Sequence, residues 1–212
     1  MVQMIKPSVE LLSITPNAEQ LIELAGRRCY KSEDKITPDS AGKFVQMIAK
    51  RGHVSVLEHA SASFAFICNR GVTHEMVRHR LASFSQESTR YCSYNKAKFG
   101  GQINIIWQEH HKFTPDQLSR RMKLYEQIEQ VYMAETAEGI PAQIARDNLP
   151  ICLKTEIVMT CNVREWSHVL TLRTSKAAHP QIRQLMTEVG RILKEQCPNV
   201  FASFNFEDED VV

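Results

Sequence analysis

The chain has 212 residues, 43% of them hydrophobic and 24% charged, and its 26 Lys and Arg against 24 Asp and Glu give a formal net charge of +2. That is enough for one substantial domain or two small ones with a core that needs no disulfide staples, and the near-neutral balance excludes a general nucleic-acid binder, so any anion site is local and its ligand small. No apolar run approaches the roughly 20 residues of a membrane span, and MVQMIKPSVELLSI lacks the basic-then-apolar order of a signal peptide, so no membrane is expected and the setting is read as cytoplasmic.

Residues 9–14, VELLSI, predict a short first strand. Asn17 then stands where it can cap a helix over AEQLIELAGRRCY, with Leu21, Leu24, Ala25 and Cys29 as its apolar face. After a turn at Thr37-Pro38-Asp39, a second helix over about 39–51 is expected to bury Phe44, Met47 and Ile48, and Gly52 stops it. In HVSVLEHA, which follows, His53, Ser55, Glu58 and His59 have two readings: they line a pocket, or the histidines are satisfied core or surface groups. SASFAFICN, 61–69, alternates small polar with apolar residues and predicts a strand.

GVTHEMVRHRL, 71–81, has helical composition. Its HEMVRH resembles a zinc-protease HExxH, but His74 and His79 are five apart, about 140° round a helix, where a metal pair needs four; no metal is expected. A continuous helix here places His74 with Arg78, and Glu75 with His79, on shared faces. Residues 95–102 predict a loop and INIIW a strand. From Thr114-Pro115-Asp116 a long capped helix runs to about Glu138, with Leu118, Met122, Tyr125, Ile128 and Tyr132 as a core stripe. Gly139 ends it, Pro141 starts a short helix, and Arg146 falls where that helix is left.

KTEIVMTCNV, 154–163, alternates cleanly and predicts a strand, REWSHVLTLR a helix, and PQIRQLMTEVGRILKEQC a final amphipathic helix before Pro198. Between the last two, Arg173, Thr174, Ser175 and Lys176 form a basic, hydroxyl-rich cluster. The six cysteines (Cys29, Cys68, Cys92, Cys152, Cys161, Cys197) are scattered without a CxxC and read as reduced, buried thiols. No repeat or linker divides the chain, so a single mixed α/β (α+β) domain is expected over 1–206, a central mixed sheet flanked by helices, with 207–212 as a solvated, mobile acidic tail.

The densest chemistry lies in RHRLASFSQESTRY, Arg78 to Tyr91. Guanidiniums beside hydroxyls suit a phosphate or an electron-rich heterocycle edge; the competing reading is a basic, solvated turn. There is no GxGxxG, GxxxxGK[ST] or GxSxG, so Rossmann, P-loop and serine-hydrolase accounts have no anchor. Arginine-bearing segments at 78–90, 146 and 164–173, with the His/Ser/Glu segment at 53–59, fit a site for a phosphorylated ligand built from distant parts of the fold.

Arg78-His79-Arg80 followed by Ser88 is the RHR-x7-S pattern, and it resembles the signature of the flavin-dependent thymidylate synthases. HVSVLEH resembles that family's upstream His/Ser/Glu/His element and CNVREWSHVLTLRTSKAAHPQIR its C-terminal segment, so the resemblance covers roughly 18–200. It implies reductive methylation of dUMP to dTMP with 5,10-methylenetetrahydrofolate as carbon donor and NADPH as reductant through FAD, in a homotetramer whose active sites draw on several subunits. Carried over by residue, it implies flavin contacts from His53, Ser55, Arg78, His79, Arg80, Gln86, Asn162, Val163, Arg164 and His168. It implies nucleotide contacts from Glu75, Arg78, Gln86, Glu87, Ser88, Thr89, Arg90, Arg146 and Arg173. Arg173 is the one catalytic assignment, an electrostatic partner to the uracil ring, since a guanidinium stays protonated and cannot act as base. Ser85, Gln86 and His168 depart from the residues commonly found at those places in the family. The alternative function is a non-catalytic nucleotide- or RNA-binding module using the 78–90 loop.

Overall fold

The computed structural model describes residues 2–206. The expected acidic tail, 207–212, lies outside them.

The elements follow in chain order as β1 (Gln3–Ile5), β2 (Ser8–Ile14), α1 (Ala18–Arg28), α2 (Ser40–Lys50), β3 (Ser61–Asn69), α3 (Arg70–Met76), β4 (Ala82–Gln86) and β5 (Asn104–Ile106). α4 (Pro115–Ala137), α5 (Ala142–Ala145), β6 (Lys154–Asn162), α6 (Val163–Arg173) and α7 (Pro180–Gln196) complete the set. The fold is mixed α/β, with its parallel and antiparallel pairings in separate sheets. β2-β3-β6-β4 form an antiparallel four-stranded sheet, and β1 and β5 a parallel two-stranded one.

The central pair carries the core because its alternation is clean. β3 buries Ala62, Phe64, Phe66 and Cys68, β6 buries Thr155, Ile157, Met159 and Cys161, and the register sets Phe64 opposite Met159 and Phe66 opposite Ile157. The helices α1, α2, α6 and α7 add Ile22, Val45, Trp166, Val169, Leu185 and Val189 to the same core. A second cluster joins Tyr125 and Tyr132 of α4 to Ile103, Ile105 and Leu153. The α4 N-terminus is a full capping box: the Gln117 N–H donates to the Thr114 hydroxyl, and the Gln117 side-chain oxygen accepts from the Thr114 N–H. Gly190 on α7 is required by close approach, since a Cβ there would lie 2.3 Å from the Phe206 ring.

Several local expectations are corrected. The buried face of α1 is Ala18, Ile22, Glu23 and Gly26, leaving Leu21, Leu24 and Cys29 exposed. The rotation is set by tertiary contacts: Phe44 of α2 packs against Gly26, and the buried Glu23 accepts from Arg27 Nε (2.7 Å) and the Ser40 hydroxyl (2.8 Å). Asn17 sits at the start of α1 in a left-handed conformation (φ 51°) and its side chain makes no cap bond. α2 buries Ala41, Val45 and Ile48, with Phe44 half-buried and Met47 exposed, and Gly52 at φ 74° follows its end.

α3 ends at Met76, five residues short of the expected helix over 71–81. The Arg78 N–H donates to Glu75 O and that of His79 to Met76 O, i→i−3 bonds that tighten and close the helix before β4. The expected Glu75–His79 and His74–Arg78 faces therefore do not form as helix faces. β4 and β1 are elements the sequence reading did not predict.

Candidate active site

Arg173 is the hub of the site. It is the last residue of α6, where a cation complements the helix dipole. Its Nε–H donates to His79 Nε2 (3.0 Å), Nη1–H to Glu75 Oε2 (2.7 Å) and Nη2–H to the Glu75 carbonyl (3.1 Å). A guanidinium has five N–H donors, so two remain for a ligand while three fix the plane of the fork. α3 ends before His79, and Glu75 on the helix and His79 beyond it both close on the same arginine.

His79 is 5% exposed. Its Nδ1 lies 3.6 Å from Glu165 Oε1, and its ring meets that of His168 edge-on at 5.9 Å. Burial first, then the Arg173 guanidinium and His168, push the His79 imidazole down to about 4. The ring is therefore neutral near pH 7, with Nε2 bare to accept from Arg173. Linkage gives a sign: the unfolded ring takes up its proton near pH 6.5 and the folded ring only near 4, so stability is fully present above about pH 6.5 and is lost as pH falls towards 4. The slope is at most about 1.4 kcal/mol per pH unit. Urea midpoints measured through this window are expected to fall faster with acidification in the wild type than in His79→Gln; equal slopes contradict the assignment.

His79, Glu165 and His168 bring ligand-capable atoms within 4.8 Å of one another. A divalent cation there would face the Arg173 guanidinium across the same imidazole, which opposes it. Glu165 is the site residue that sequence reading missed; the available signal was its position three before His168, on the same face of α6.

The second half of the Arg78–Tyr91 stretch is built differently. Glu87 is clamped by the Tyr94 hydroxyl (2.9 Å) and Lys154 Nζ (3.0 Å), and Lys154 also pairs with Glu156. Burial and the Glu87 carboxylate drive the Tyr94 phenol far above its ordinary range, so it remains a donor. Gln86 donates to the Thr73 (3.1 Å) and Thr155 (3.2 Å) hydroxyls, and Thr89 is buried. The N–H groups of Tyr91 and Cys92 turn back to the Ser88 carbonyl, and the Arg90 N–H donates to the Ser88 hydroxyl (3.3 Å). These contacts hold the loop while the Arg90 guanidinium lies over the exposed Tyr91 ring, 5.5 Å from its centroid.

The remaining predicted residues are not drawn into this cluster. Arg78, Arg80 and Arg146 are exposed and make no side-chain hydrogen bond or ion pair with another of the described residues, and His53 and Ser55 are likewise exposed. The turn Val54–His59 packs beside α6, tied to it by an Arg164–Glu58 ion pair. The Asn162 oxygen caps α6 by accepting from the Glu165 N–H (2.8 Å). Val163 is fully buried in the core, its N–H donating to the Ala60 carbonyl (2.8 Å) and its own carbonyl accepting from the Ser167 hydroxyl (3.0 Å).

The family model described as "Thymidylate synthase complementing protein" matches residues 10–199. Proteins named flavin-dependent thymidylate synthase are 34% identical in Geobacter sulfurreducens (91% of this chain, 84% of that one) and 35% identical in Mycobacterium avium (93% and 84%). The chain belongs to the flavin-dependent thymidylate synthase family. A flavin-dependent thymidylate synthase from Corynebacterium efficiens is 34% identical over 98% of this chain and 93% of its own. The fold is shared with a UMP/dUMP methylase from Streptomyces cacaoi solved with 5-Br dUMP, with a TM-score of 0.82 over 95% of this chain and 96% of that one, at 21% identity. The segments at 53–59, 75–90, 146 and 162–173 fall inside the matched region. None of the described helices is long and apolar enough to cross a membrane.

Proposed function

We propose that this chain converts dUMP to dTMP, taking the methylene carbon from 5,10-methylenetetrahydrofolate and releasing tetrahydrofolate, with NADPH as reductant and FAD as cofactor. The observation that carries the reading is Arg173, held on three sides by Glu75 and His79 with two donors left, in a chain of this family. A guanidinium fixed beside N3 and O4 of uracil offsets the negative charge of the N3-deprotonated ring, which makes C5 nucleophilic; its orientation is established before substrate arrives. Arg173 holds no removable proton, so its part is electrostatic. Glu75 Oε2 and the Glu75 carbonyl already accept from Arg173, which makes Glu75 a brace for the arginine as well as a nucleotide contact.

The residues present suit a flavin dinucleotide. Arg78 and Arg80 are exposed guanidiniums without an internal partner among the described residues, which suits a diphosphate. His53, Ser55, His79, Gln86, Asn162, Val163, Arg164 and His168 would complete the flavin-holding set. When bound, the flavin supplies the hydride that reduces the transferred carbon, so the folate need not be oxidised. Arg90 and Arg146, with Glu87, Ser88 and Thr89, would bind the nucleotide phosphate and sugar. The chain is proposed to act as a homotetramer in the cytoplasm; sites completed across subunits would give a place to His53, Ser55 and Arg146, which make no hydrogen bond or ion pair with Arg173, Glu75 or His79 within the chain.

An absorbance spectrum tests the reading. Purified protein is expected to carry a flavin band that bleaches with NADPH and to form dTMP once dUMP and the folate are added; a colourless protein that takes up no added FAD overturns it. Arg90→Ala is expected to raise the dUMP KM by about 10-fold or more, the loss of one charge-assisted contact, with the flavin band intact. An unchanged KM removes Arg90 from the phosphate site.

A further inference from the structure

We infer that Glu165 is a positioning residue: it holds His79 as the Nδ1–H tautomer, so that Nε2 stays bare and can accept the Nε–H of Arg173. The role depends on the function proposed above only for its catalytic consequence.

Three observations carry it. First, a guanidinium Nε is always a donor, so its 3.0 Å contact with His79 Nε2 requires that nitrogen to be without its proton. In a neutral ring the proton then sits on Nδ1, and the acceptor facing Nδ1 is Glu165 Oε1 at 3.6 Å, close enough to attract it electrostatically. Second, Glu165 is 7% exposed, and a carboxylate is not carried into such a place without a compensating group. Third, its ordinary local occupation is declined. Glu165 is the third residue of α6, where Glu usually turns back to the cap residue's N–H, yet the α6 start has only the Asn162 half of that exchange. The carboxylate is thereby available to the imidazole.

Glu165 and Arg173 stand at opposite ends of one helix, eight residues and about 12 Å apart along its axis. Arginine on a helix leans towards the N-terminus, so its side chain comes back along α6 to the ring that Glu165 addresses. His79 thus receives an acceptor on one nitrogen and a donor on the other from a single rigid element, while Glu75 grips the far side of the guanidinium. Without Glu165 the ring is free to carry its proton on Nε2, pointing it at the Arg173 N–H; the arginine then keeps only its Glu75 contacts and can turn.

The test is a tautomer measurement on 15N-histidine-labelled, flavin-loaded protein, with the His79 signals assigned by their loss in His79→Gln. Long-range 1H–15N spectra are expected to show Nδ1–H for wild type and for Glu165→Gln, whose amide oxygen still accepts, and Nε2–H or a mixture for Glu165→Leu. In parallel, Glu165→Leu is expected to lower kcat by about 10-fold with the dUMP KM little changed, and Glu165→Gln to restore most of it. An Nε2–H signal in the wild type overturns the inference, even if Glu165→Leu does not fold, and so does an unchanged tautomer in a folded Glu165→Leu. A tautomer change in a protein without dUMP turnover would instead overturn the proposed function and leave the Glu165–His79 relation standing.

Discussion

Arg173→Ala is expected to lower thymidylate formation by about 10²–10³-fold, the usual cost of removing a preorganised charge from a transition state. The flavin band is expected to remain, because the change leaves in place the exposed guanidiniums at 78 and 80 and the His79 ring itself, which stays buried. The fold is expected to survive as well: the Glu75 carboxylate left behind is about a third exposed and can be hydrated. Arg173→Lys separates charge from shape. A lysine keeps the cation but cannot hold His79 and both Glu75 oxygens with one rigid fork, so it is expected to recover only a minor part of the rate. Steady-state dTMP formation beside the flavin absorbance decides the matter, and near-normal turnover in Arg173→Ala removes the assigned role.

The largest expected effect on stability is from Trp166→Ala, about 3–5 kcal/mol. Trp166 is fully buried on α6, meets Phe64 of β3 edge-on at 5.1 Å, and donates its indole N–H to the Ala62 carbonyl (3.1 Å). Truncation leaves a cavity between helix and sheet and takes away that donor. The same helix carries Glu165, His168 and Arg173, so turnover is expected to fall with stability. Trp166→Phe keeps most of the packing and loses the hydrogen bond, for about 1–2 kcal/mol. Urea denaturation measures both; a loss below about 1 kcal/mol in Trp166→Ala contradicts this account of the core.

The elements legible in the sequence are those whose local signals agree with the final packing. β3 and β6 alternate with period two and are buried on that alternation, α4 opens with its capping box, and α6 and α7 begin where expected. β1 and β5 are three residues each and join across about a hundred positions, so nothing local announces their pairing. The face of α1 was misread because a buried carboxylate, Glu23, took an inner place that apolar spacing assigned to Leu21 and Leu24. In the site, residue types pointed to the chemistry, but pairing did not. Arg173 finds Glu75 and His79 at sequence separations of 98 and 94, and only folding shows that two residues expected on one helix face meet through a third.

β4 lies inside the Arg78–Tyr91 stretch, between its first arginines and Ser88. Five extended residues span about 17 Å, and their side chains alternate, with Phe84 half-buried and Ser83 and Ser85 turned outward. The seven positions between Arg80 and Ser88 therefore behave as a ruler. Deleting two of them would shorten it by about 7 Å and keep the pleat, whereas deleting one would reverse the parity of the residues on one side of the cut relative to those on the other. The spacing of this motif thus sets a length and a parity, on which the placement of Gln86 and Glu87 also depends.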